Sequence, residues 1–275
     1  MHGLHVLNYN KLSNYPIIKN FLNNLIFYLV YNFFVYNITY RAKRANCIII
    51  KLGDITMVDL GNFTVFSFWL ATAMMLASTV FFFVERGDVS IKWKTSLTVA
   101  GLVTGVAFWH YLTMSKLAAD GVSPVAYRYV DWFITVPLQI VEFYLILAAV
   151  TLVSSKVFWK LLIASLVMLI GGYVGETCGA DYQLSGFIVG MFGWIGVLYL
   201  IFIGDAAKAN AGSKNEASQF AFKVMRLIVL FGWAIYPIGY WLPDATLNVV
   251  YNLADLVNKT AFGLMIWVAA KMDTK

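Results

Sequence analysis

The chain has 275 residues, of which 61% are hydrophobic and 12% charged, against about 25% charged in soluble domains. So few charges cannot cover a soluble surface of this size, and lipid must cover much of it. The net charge of +6 comes from basic residues scattered at the ends of apolar runs, which argues against nucleic acid as a partner. Cys47 and Cys178 make no disulfide framework, and three histidines, His2 and His5 among them, make no metal signature. Taken in chain order, residues 1–56 fit the rest poorly. The stretch 21–38 is apolar but broken by Asn23, Asn24, Asn32 and Asn37, and the basic run Arg41-Ala42-Lys43-Arg44 follows it. A secretory leader has its charges before the apolar core, the reverse order. Two readings stay open for this segment: translation begins at Met57, or residues 1–56 are a poorly ordered extension.

From Met57 onward, seven segments reach the roughly 20 mostly apolar residues that a spanning helix needs. They run over 63–84, 93–114, 125–149, 157–177, 187–203, 220–241 and 247–270. The expected fold is an all-α membrane protein, a seven-helix bundle formed by residues 57–275. Lys and Arg set its orientation. The first, third and fifth loops and the C-terminus hold Arg86, Lys92, Lys94, Lys156, Lys160, Lys208, Lys214, Lys223, Arg226, Lys271 and Lys275. The other three loops hold only Lys116, with Asp120, Asp181 and Asp244. The basic side is cytoplasmic by the positive-inside rule, so the first helix starts outside and the C-terminus is cytoplasmic.

Charged side chains at mid-membrane cost about 2.5–3.5 kcal/mol each on insertion scales and are functional candidates by default. Five lie well inside the segments: Arg128, Asp131 and Glu142 on the third, Asp255 and Lys259 on the seventh. His110 lies on the second. Asp255 and Lys259 are four apart and share one helix face. Asp131 and Glu142 are eleven apart, about three turns with a rise of about 16 Å, so both point the same way from different depths. Asp131 is nearer the outside and Glu142 nearer the cytoplasm. A lysine midway between them could take a proton from one and give one to the other. Thr135 continues the stripe one turn from Asp131. A static salt-bridge network would explain one such pair more readily than five charges in this pattern.

The run Arg128-Tyr129-Val130-Asp131-Trp132-Phe133-Ile134-Thr135-Val136-Pro137-Leu138 resembles the third helix of microbial rhodopsins. Asp255-Leu256-Val257-Asn258-Lys259 resembles their retinal-attachment segment, and Trp233-Ala234-Ile235-Tyr236-Pro237 the aromatic wall of their retinal pocket. Phe108-Trp109-His110-Tyr111 and Glu142-Phe143-Tyr144-Leu145-Ile146-Leu147 are closest to proteorhodopsins. The resemblance covers about residues 60 to 272. It implies a bacteriorhodopsin-like bundle with all-trans retinal bound covalently as a Schiff base on Lys259. Asp131 is then the primary counterion and proton acceptor, Asp255 the second counterion, and Arg128 the organiser of the outer half-channel. Glu142 is the cytoplasmic proton donor, and His110 hydrogen-bonds Asp131 and tunes it. Trp132, Trp194, Trp233, Tyr236 and Pro237 line the chromophore.

Within the family, Asp131, Thr135 and Glu142 match the pattern of proton pumps. Sodium pumps carry Asn, Asp and Gln at these positions, and sensory members commonly lack the donor carboxyl. The expected function is a light-driven outward proton pump in the plasma membrane, not an enzyme. Glu142 is the main argument for pumping over the alternative, a photosensor that signals to a partner protein. A seven-helix receptor or transporter without retinal is a third reading. Gln139 stands where green-absorbing proteorhodopsins have Leu and blue-absorbing ones Gln, which implies blue absorption. Leu200 departs from an acidic residue common in proteorhodopsins. Pro237 is expected to let the cytoplasmic half of the sixth helix tilt. Expected partners are the lipid bilayer, retinal and the transported proton, with no nucleic acid, and further copies of the chain in a homo-oligomer.

Overall fold

The computed structural model describes residues 60–274, so both readings of residues 1–56 lie outside the described residues. Among the described residues, seven helical stretches are long and apolar enough to cross a membrane. The first five crossings contain α1 (Leu60–Glu85), α2 (Lys94–Ala119), α3 (Val125–Ala148), α4 (Ser155–Thr177) and α5 (Ala180–Phe202). A short α6 (Asp205–Gly212) follows. The sixth crossing joins α7 (Glu216–Leu227), a π-helical turn (Ile228–Gly232) and α8 (Ile235–Gly239), and the seventh is α9 (Asp244–Met272). A helix satisfies its interior backbone donors and acceptors within the segment, which lipid cannot do for them.

Three departures from the expected segments have physical causes. The fifth helix starts at Ala180 rather than 187. Asp181, Tyr182 and Gln183 lower its apolarity, yet Asp181 suits the positive end of the helix dipole. The chain can start there because Gly179 turns with φ 107°, a conformation that favours glycine. The short α6 was not expected, being too polar to register as a crossing. The sixth helix is interrupted where a continuous run over 220–241 was expected. Pro237 has no N–H to cap the carbonyl of Trp233, which instead accepts from Tyr236 N at 3.2 Å. Just before it, Trp233 N reaches back five residues to Ile228 O at 3.2 Å, the π-type bond.

Successive crossings pack side by side, and α9 returns to pack on α1, α2 and α7. The second, third and seventh crossings bury the largest share of their residues and so form the interior. The pair α4–α5 is drawn together by glycine. A Cβ at Gly193 would lie 2.3 Å from Met168 N, and one at Gly171 would lie 2.4 Å from Gly190 N. Small residues permit this approach where lipid leaves no hydrophobic drive between helices. Large apolar side chains such as Trp109, Phe192, Phe231 and Ile238 face outward, as a lipid-exposed surface allows. At one end, Asp273 accepts hydrogen bonds from Lys92 Nζ at 2.6 Å, Trp93 Nε1 at 2.7 Å and Asn215 Nδ2 at 2.8 Å. Burial alone would raise the Asp273 carboxyl, but these three donors outweigh it and hold it below its ordinary range.

Candidate functional site

Two polar stripes face each other in the bundle. On α3, Arg128, Asp131, Thr135, Gln139 and Glu142 recur at helical spacing, and all are buried. On α9, Asn248, Asn252, Asp255 and Lys259 do the same. Lys259 Nζ joins the stripes, donating to Asp131 Oδ2 at 2.6 Å and to Asp255 Oδ2 at 2.8 Å. The two carboxylates are not equivalent. Asp255 also accepts from Tyr236 OH at 2.6 Å, Tyr111 OH at 2.8 Å and Trp132 Nε1 at 3.2 Å. Among the described residues, Asp131 has one side-chain donor in hydrogen-bond geometry, Lys259. His110 stands beside it, with Nδ1 3.5 Å from Asp131 Oδ1 and closer, at 2.9 Å, to the Val106 carbonyl.

Arg128 completes the charge balance, since two cations and two carboxylates sum to zero. It donates from Nη1 to Tyr111 OH at 3.1 Å and from Nη2 to Asn248 Oδ1 at 3.0 Å and Asn252 Oδ1 at 2.9 Å. Its guanidinium lies 5.4 Å from the Phe68 ring centre and 5.5 Å from that of Tyr251, contacts that suit a weakly hydrated planar cation. Sequence reasoning missed Tyr111, Asn248 and Asn252. The two asparagines were discoverable, because they extend the Asp255–Lys259 face by whole turns. Tyr111 carried no such signal, since its link to Asp255 crosses between helices.

Glu142 is buried at another depth of α3, and neither carboxyl oxygen has a hydrogen-bond partner among the described residues. One residue on, Phe143 packs edge-on against Phe222 of α7 and Phe262 of α9. Thr135 does not line the cavity described next. Its hydroxyl donates to the Asp131 carbonyl at 3.0 Å, one turn back along α3.

An apolar cavity lined by Lys259 lies between α3, α4, α5, the sixth crossing and α9. Trp132, Gln139, Trp194, Trp233, Tyr236 and Pro237 all line it. So do Met168, Gly172, Phe187, Gly190 and Met191, which sequence reasoning missed. The glycines matter because a Cβ at Gly172 would lie 2.7 Å from the Tyr129 hydroxyl. Such a wall has no motif, as it depends on which helix lies opposite. Retinal fits this lining. An amine and flat aromatic walls line it together, and the Gln139 amide nitrogen is buried there without a partner among the described residues.

The fold and site together define a multi-pass membrane protein with a buried amine held between two carboxylates in the lining of an apolar cavity. The family model described as bacteriorhodopsin-like protein matches residues 62–272, and the chain belongs to that family. It is 51% identical over 231 residues to the green-light absorbing proteorhodopsin of Gamma-proteobacterium EBAC31A08, covering 81% of this chain and 91% of the relative. It is 51% identical over 232 residues to the blue-light absorbing proteorhodopsin of Gamma-proteobacterium Hot 75m4, covering 81% and 90%. The crystal structure of the blue light-absorbing proteorhodopsin from Med12 is similar with a TM-score of 0.67 and 57% identity, over 77% of this chain and 99% of that one.

Proposed function

We propose that this protein is a light-driven outward proton pump that uses all-trans retinal attached to Lys259. The observation that carries the reading is the pair of carboxyls on α3, Asp131 bonded to Lys259 Nζ at 2.6 Å and Glu142 buried without a partner among the described residues. When bound to Lys259 Nζ as a protonated Schiff base, retinal supplies visible absorption and a photoisomerisation that redirects the proton on that nitrogen.

The chain's own residues then set the direction. Asp255 keeps its donors Tyr236, Tyr111 and Trp132, so it remains the anion that balances Lys259 and Arg128. Asp131 has only Lys259 as a hydrogen-bonding side-chain partner among the described residues, so it is the carboxylate free to take the proton from Nζ. Glu142 suits the donor's role because an unpartnered buried carboxyl is far less costly as the neutral acid than as the anion. Proton loss toward Asp131 and resupply from Glu142 move charge one way along α3. Exporting one proton against 100 mV costs about 2.3 kcal/mol.

The basic ends of the crossings support a cytoplasmic C-terminus and an outward start of the first helix in a plasma membrane. Gln139 lines the cavity and supports blue absorption. The relatives from EBAC31A08 and Hot 75m4, one green-absorbing and one blue-absorbing, are equally similar at 51%, so the colour reading rests on this side chain. Light-induced pH change in a suspension of expressing cells supplied with retinal tests the function. The medium should acidify in light, and a protonophore should abolish the change. A coloured protein with no acidification would favour the photosensor.

A further inference from the structure

The interruption in the sixth crossing is tied to the charged site by a short hydrogen-bond relay. The π turn and Pro237 leave backbone carbonyls without their usual α-helical donors. Two side chains from other crossings satisfy carbonyls of the turn. Trp194 Nε1 of α5 donates to Val229 O at 3.2 Å, and Asn258 Nδ2 of α9 donates to Gly232 O at 3.0 Å. Among the described residues, Trp194 makes no hydrogen bond to the carboxylates. Asn258 is different, because its Nδ2 also donates to Tyr236 OH at 3.2 Å, and that hydroxyl donates to Asp255 Oδ1 at 2.6 Å. The path from carboxylate to main chain is thus Asp255, Tyr236, Asn258, Gly232. Asn258 is buried, and it is the residue before Lys259. Gly232 is required for the approach, since a Cβ there would lie 1.9 Å from Asn258 Oδ1.

We propose that Asn258 is a positioning residue that transmits the charge state of Asp255, through Tyr236, to the π turn, and so holds the cytoplasmic half of the sixth crossing closed while Asp255 is a carboxylate. A phenol donating to an anion is polarised and becomes a better acceptor, so the Asn258–Tyr236 bond strengthens with the charge. The same amide nitrogen carries the bond to Gly232. If Asp255 loses its charge, the phenol is no longer polarised, and the amide is held less firmly against the turn. The proposal rests on the pump reading for its purpose, but every bond in it belongs to the chain itself.

Amide hydrogen exchange of peptides covering 216–232, read by mass spectrometry on the full chain in the dark, tests it. Asp255→Asn should speed exchange of this segment about tenfold, the scale for losing a hydrogen bond to a charged group. Asn258→Ala should do the same. The double variant should exceed either by less than about twofold, because both cut one relay. Trp194→Phe is the control, because it removes a donor to the same turn without a link to Asp255. Its effect should multiply with that of Asp255→Asn. Equal multiplication in the Asn258→Ala and Trp194→Phe backgrounds, or no effect of Asp255→Asn on exchange, would overturn the proposal. If Asp255→Asn does not fold, Tyr236→Phe cuts the relay one bond further on and replaces it with the same expectations. The exchange is measured with and without all-trans retinal. A chain that stays colourless but shows the coupling counts against the pump reading and supports the relay. A coloured pump without the coupling does the reverse.

Discussion

Replacing Glu142 with glutamine separates its chemistry from any role in holding the bundle together. Both Glu142 oxygens are buried without a hydrogen-bond partner among the described residues, so the isosteric amide removes no such bond. If Glu142 is a neutral acid in the dark, Glu142→Gln should change stability by less than about 1 kcal/mol and leave the dark spectrum in place. Were it an ionised carboxylate in that site, the neutral amide would relieve an unpaired buried charge and stabilise the fold by about 3 kcal/mol or more. The kinetic effect should be large. A positioned proton donor contributes about 10²–10⁴-fold, so recovery of the dark spectrum after a flash should slow by that factor. Flash photolysis gives the recovery rate, and thermal bleaching of the same sample gives the stability. Unchanged recovery, or marked stabilisation by the amide, would refute the assignment of Glu142 as a neutral donor.

Gln139→Leu should move the absorption maximum to longer wavelength, since it removes the polar group that faces the cavity; a static spectrum of the reconstituted variant is sufficient. Arg128→Ala leaves Asp255 without its nearby guanidinium and Asn248 and Asn252 without their donor. It should lower stability by about 3–5 kcal/mol in thermal bleaching, and Arg128→Lys should restore only part, because an ammonium lacks the planar fork. Asp273→Asn should lower the melting temperature at neutral pH. The Asp273 carboxyl is held below its ordinary range, so its contribution is present above the unfolded value near 4 and is lost as pH falls through the folded value. The gap between variant and parent melting temperatures should therefore close in acid, and a gap independent of pH would contradict the three-donor account.

The sequence made the charged stripes of α3 and α9 legible because charges are rare in apolar segments, and helical spacing puts them on one face. Arg128, Asp131, Glu142, Asp255 and Lys259 could be placed that way, and the crossings holding them were bounded to within a few residues. What escaped was whatever depends on which helix lies opposite. The unequal partners of Asp131 and Asp255 come from Tyr111, Trp132 and Tyr236 on three different segments. The Gly172–Gly190 wall follows from the close pairing of α4 and α5. The π turn was invisible because hydropathy stays high through Ile228–Gly232 while the hydrogen-bond pattern changes beneath it. Pro237 marked the place, but the consequence required Asn258 and Trp194 to be seen bonding into the turn.

Lys259 Nζ, between Asp131 and Asp255, is the atom proposed to carry the chromophore. Expressed chain incubated with all-trans retinal should become coloured. Borohydride reduction followed by digestion and mass spectrometry should then find a retinyl mass on the peptide containing Lys259. A chain that stays colourless, or a retinyl mass on any other lysine, would contradict the account.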